Sequence, residues 1–106
     1  MKFVTHNDEE IDIGGCLQGY VKTTYKNLLE LFGNPTNGDG YKVDAEWVIK
    51  FEDGTVATIY NWKDGKNYNG AEGMEVEDIT DWHIGGEDKK SVARIKEVVK
   101  GEVTVS

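Results

Sequence analysis

Few residues in this chain are equipped for chemistry: His6, His83, one cysteine at Cys16, and the carboxylates between Glu72 and Asp81. In the stretch DWHIGG, Asp81 precedes His83 by two residues. In an extended segment the two share a face, and the carboxylate is near enough to orient the imidazole. Catalysis needs more than that pair, either a nucleophile or further metal ligands. The sequence contains no G-x-S-x-G elbow, no H-E-x-x-H and no spaced Cys/His cluster. Cys16 has no second cysteine with which to form a disulfide, a CxxC motif or a metal pair, and is read as an inert, partly buried thiol. His6, His83 and the 72–81 carboxylates show no metal-ligand spacing. EGMEVED lacks the order of an EF-hand loop, and nothing marks its carboxylates as buried, as acid catalysis would require. Gly85-Gly86 ahead of a helix would suit a phosphate, but Glu87 and Asp88 compete for the same positive end. A tight strand-to-helix turn is the reading taken for the two glycines. No catalytic residue, metal ligand or cofactor is assigned, and the chain is read as a binding protein rather than an enzyme.

Two surfaces remain as binding candidates. Glu72, Glu75, Glu77, Asp78 and Asp81, joined by His83, make a solvated face for a partner protein. Tyr60, Trp62, Lys63, Trp82 and His83 make a possible ligand site, because rings with nearby lysines can hold a base and its phosphate. Against that second site, at least two of Tyr60, Trp62 and Trp82 are expected in the core.

The elements that must position these residues follow from length, composition and pattern. A chain of 106 residues has room for one domain with a single modest core. Its 38% apolar content and three tryptophans suffice to fold despite 30% charged residues. No run approaches the roughly 20 apolar residues of a membrane span. MKFVTHNDEE turns acidic where a secretory signal needs its apolar segment. One unpaired cysteine fits a reducing cytoplasm. The net charge of −8 repels nucleic acid and anionic membranes and favours basic partners, although the same acidity also serves solubility.

A helix capped by Thr23 or Thr24 carries Tyr25, Leu28, Leu29 and Phe32 on one face and ends at Gly33 before Pro35. Ala45, Trp47, Ile49 and Phe51 alternate with Glu46, Val48 and Lys50 in a half-buried strand. Asp53-Gly54 suits a two-residue hairpin, which would set Phe51 opposite Val56, Ile49 opposite Thr58 and Trp47 opposite Tyr60. Val56, Thr58, Tyr60 and Trp62 then share the core face, and Val48 and Ile59 make a small apolar patch on the other. A third strand is expected over 80–84, with Trp82 and Ile84 on one side and Asp81 and His83 on the other. A closing helix starts near Asp88 or Ser91 and buries Val92, Ile95, Val98 and Val99. Residues 2–5 can add a strand, residues 1–18 are otherwise poorly defined, and EVTVS is an edge strand or a frayed tail. The expected architecture is α+β, an antiparallel sheet of three to five strands with two helices packed on one face.

TTYKNLLELFGNPT, AEWVIKFEDGTVATIYNWK and DWHIGG, in that order, resemble a family of small bacteriophage and prophage accessory proteins. That family joins an FG-x-P helix end to a W-x-I-x-F-x-DGT-x-ATIY hairpin and a W-H-I-G-G strand. The resemblance covers about residues 19–100 and leaves the N-terminal segment and residues 101–106 outside it. It brings no catalytic residues. It implies a cytoplasmic protein of the infected bacterium, acting by stoichiometric binding to inhibit a host defence effector of the CRISPR or restriction type. The alternative is a homo-oligomeric sponge for a nucleotide immune signal.

Overall fold

The computed structural model describes residues 2–106, and the fold is α+β. Six strands, β1 (Phe3–Thr5), β2 (Cys16–Lys22), β3 (Glu46–Phe51), β4 (Val56–Tyr60), β5 (Asp81–Gly86) and β6 (Glu102–Val105), form one sheet in the order β1-β3-β4-β5-β2-β6. Every neighbouring pair is antiparallel. Three α-helices, α1 (Tyr25–Phe32), α2 (Lys66–Asn69) and α3 (Lys90–Val98), and two short 3₁₀ turns complete the described chain. The sheet thus exceeds the expected three to five strands and the helices number one more than expected.

The β3–β4 register is shifted by one residue from expectation. Phe51 N–H donates to the Thr55 carbonyl (2.8 Å) and Gly54 N–H to the Phe51 carbonyl (2.9 Å), so Glu52, Asp53 and Gly54 form a three-residue loop. Gly54 takes φ = +90°, the left-handed residue such a loop needs. Trp47 therefore lies opposite Ile59 rather than Tyr60, and Ile49 opposite Ala57 rather than Thr58. Because side chains alternate, a one-residue slip exchanges the faces of an entire strand. Ala57 and Ile59 turn into the core, and Val56, Thr58 and Tyr60 turn to the opposite face. Val48 and Ile59 are both buried and do not form a shared surface patch.

The core joins Trp47, Ile49, Phe51, Ala57, Ile59, Trp82 and Ile84 of the sheet to Leu28 and Phe32 of α1 and Val92 and Ile95 of α3. Thr24 caps α1 by accepting the Asn27 N–H (3.1 Å), and Gly33 ends it. Trp47 and Trp82 meet edge to face at 5.4 Å, and each indole N–H is satisfied by a carbonyl, that of Gly33 or Thr23. Helix α2, by contrast, buries nothing.

Gly85 and Gly86 do not form a turn; both belong to β5. A Cβ on Gly85 would lie 2.5 Å from Thr58 Oγ1, and one on Gly86 2.5 Å from Ser91 Cβ, so small residues let neighbouring groups close on this strand. The poorly defined N-terminal segment supplies β1 and the first residues of β2, where Cys16 is exposed rather than partly buried, and the tail supplies β6 at the sheet's other edge. His6 closes β1. Its Nδ1 accepts the Val48 N–H (3.2 Å), standing in for a strand carbonyl, and its Nε2 meets the Asn34 carbonyl oxygen (2.8 Å).

Candidate binding surface

Opposite α1 and α3, the sheet presents a row of rings. Tyr20 of β2 stands edge-on to His83 of β5 (5.0 Å), His83 meets Tyr60 of β4 (5.4 Å), and Tyr60 meets Trp62 (6.3 Å). Sheet pairing fixes their order, since Tyr20 and Tyr60 are the two cross-strand partners of His83. Tyr20 is 39% and Trp62 40% exposed. Burial among these rings lowers the His83 pKa, opposed by the carboxylates of Asp64 and Asp81. Burial likewise raises the Tyr60 phenol, reinforced by Glu46. Glu46 is itself raised, first by burial and then by Asp39. Among the described residues no hydrogen bond links Asp81 to the His83 ring; flanking aromatics hold the imidazole.

The loops beside this row are stiffened by a buried amide. Asn61 is fully buried; its Oδ1 accepts the N–H groups of Asp44 and Ala45, and its Nδ2 donates to Asp44 Oδ1 and Asp64 Oδ1. Asp44 Oδ2 also accepts the Asn67 N–H (3.2 Å). Asp39 Oδ1 accepts three backbone N–H groups, those of Tyr41, Lys42 and Val43. These bonds, that of Tyr41 first, hold the Asp39 carboxyl below its ordinary pKa. The network fixes Trp62, Lys63, Tyr41 and Tyr68 in one exposed cluster. Lys42 lies 5.4 Å and Lys63 5.7 Å from the Trp62 ring, Lys63 also approaches Tyr68, and Tyr41 meets Tyr68 at 5.3 Å. Lys63 is the one non-glycine among the described residues with positive φ, +61°, a conformation held by backbone bonding between Lys63 N–H and the Lys42 carbonyl (2.8 Å).

The carboxylate candidates fall on the connection from α2 to β5. Glu72 ends the first 3₁₀ turn (Gly70–Glu72), Glu75 flanks the second (Val76–Asp78), Glu77 and Asp78 lie within it, and Asp81 opens β5. All five are exposed, and among the described residues only Glu75 meets a cation, Lys66.

The proposed ligand set is divided by the sheet. Tyr60, Trp62, Lys63 and His83 come together, but Trp82 is fully buried on the helix-covered side and cannot stack on a ligand. The expectation that two of Tyr60, Trp62 and Trp82 are core fails for Trp62 and for the half-buried Tyr60. Sequence reasoning missed Tyr20, Tyr41 and Lys42. For Tyr20 the one signal was Val21, buried between the exposed Tyr20 and Lys22, and it was masked by the buried polar Gln18, by Gly19 and by the bulge between Leu17 and Gly19. No family model matches the chain, and neither a curated protein nor a solved structure matches it. No helix among the described residues is long and apolar enough to cross a membrane.

Proposed function

We propose that this chain is a non-catalytic binding protein whose interface is the ring-bearing sheet face together with its acidic border, and whose partner is a basic protein. The observation that carries the reading is the row Tyr20–His83–Tyr60–Trp62, flanked by Asp81 and Asp64, with Glu72, Glu77 and Asp78 exposed on the connection that leads from α2 to β5. Stable interfaces place aromatic anchors at the centre and charge at the rim, where it steers encounter. A −8 chain selects a partner of opposite charge, and a nucleic-acid-binding groove is such a surface. With the phage-protein resemblance, the partner is a host defence effector, inhibited by stoichiometric occupation of its basic groove in the bacterial cytoplasm.

The test is capture from host lysate on the immobilised chain, read by mass spectrometry, in parallel with Tyr60→Ala and Trp62→Ala. A basic protein retained by the unaltered chain and lost from both variants supports the reading. A nucleotide in place of a protein, or a protein held equally by all three chains, overturns it.

A further inference from the structure

A cleft of about 570 Å³ opens between the start of α1, the loop before β3, helix α2 and the Met74–Val76 segment. Its lining combines the Tyr25 ring with Met74 and Val76, and it carries two carboxylates, Asp44 and Glu75. Tyr25 is not a loose ring: it lies against Trp47 at 5.7 Å and Trp82 at 6.3 Å, so this wall is anchored in the core. Met74 on the other side is 45% exposed, an apolar side chain with solvent over it. A cation already occupies part of the cleft, because Lys66 forms an ion pair with Glu75.

These features describe a receptor for a long side chain with an apolar stem and a positive head. Tyr25, Met74 and Val76 would cover the stem, and Glu75 and Asp44 would meet the head. Asp44 already accepts bonds from Asn61 and Asn67, yet a carboxylate has lone pairs for more. A guanidinium fits better than an ammonium. It is flat enough to lie on an aromatic face, it forks toward carboxylates, and it is the less strongly hydrated of the two. Resting on the reading of a basic protein partner, we propose that this cleft receives one arginine side chain of that partner, which displaces Lys66 from Glu75.

The probe is N-acetyl-arginine amide, titrated into the full chain and followed by amide NMR shifts, with N-acetyl-citrulline amide as the uncharged counterpart of the same shape. Shifts are expected at Tyr25, Asn67, Met74 and Val76 with the arginine compound and not with citrulline. Glu75→Gln should weaken the response about two- to fivefold, as for a partly exposed ion pair. Lys66→Gln should strengthen it by a similar factor, since the internal competitor is gone. Lys100→Gln makes the same charge change away from the cleft and should leave the response unaltered. Equal shifts with citrulline, or equal effects of Lys66→Gln and Lys100→Gln, would overturn the proposal. Partner capture that survives Glu75→Gln undiminished but fails in Tyr60→Ala would overturn it too, and would leave the wider reading standing. Capture insensitive to the ring variants sinks the wider reading instead.

Discussion

Trp82 and His83 are adjacent in the chain and occupy opposite sides of one sheet. Trp82 is fully buried, packed on Trp47 and bonded through its indole N–H to the Thr23 carbonyl (3.1 Å). His83 is half-buried in a row of rings whose ends are open to solvent. The helix-covered side spends its aromatics on cohesion, with Phe32, Trp47, Phe51 and Trp82 buried and Tyr25 packed against the two indoles. The other side leaves its aromatics accessible, with the carboxylates of Asp64 and Asp81 near His83. That contrast separates residues that hold the fold from residues that can meet a partner, although both sides are rich in the same side-chain types.

The comparison is tested most severely by truncating the two neighbours in turn. Trp82→Ala leaves a large void beside Trp47 and should cost about 3–5 kcal/mol, measured by denaturant unfolding. His83→Ala should cost under about 1 kcal/mol, since it removes a partly exposed ring and no hydrogen bond. Equal losses would show that the ring row is core after all.

A smaller effect probes the loop that sets the β4 register. Asp53 accepts the Thr55 N–H and pairs with Arg94 of α3 (2.8 Å). The bonds to Thr55, then that to Arg94, lower its carboxyl from 3.8 to about 2. A depressed folded-state pKa stabilises above the ordinary carboxylate pKa and loses that contribution as pH falls through the folded value. Asp53→Asn should therefore melt below the unaltered chain at neutral pH. The difference should close between pH 3.8 and about 2. A pH-independent difference would remove the carboxylate from the account of this loop.

Much of the architecture was legible in the sequence because periodicity and caps agreed. Thr24, the Leu28/Phe32 stripe and Gly33 define α1, and the alternation around Trp82 defines the faces of β5. Two features were hidden for physical reasons. Asp-Gly fits both two- and three-residue hairpins, and that one residue decides which face Tyr60 takes. In β2 the bulge and Gly19 break the alternation, and Gly19 is required because a Cβ there would meet the Thr104 carbonyl oxygen at 2.5 Å. With β2 unread, Tyr20 could not be placed beside His83. The run of carboxylates from Glu72 to Asp81 was legible in the sequence; the ring row needed three strands in register.

The central claim is that the ring row and the exposed carboxylates of the connection from α2 to β5 act together on a basic partner. Its most direct test is the association rate with the captured partner, measured against salt for the unaltered chain and for Glu72, Glu75, Glu77→Gln with Asp78→Asn. The account predicts that the fourfold variant associates more slowly and with a flatter salt dependence, because rim charge steers encounter. Stability should hardly change, since these carboxylates are exposed. An unchanged rate and salt slope would contradict the account, as would tighter binding of an anionic ligand once the negative charge is removed.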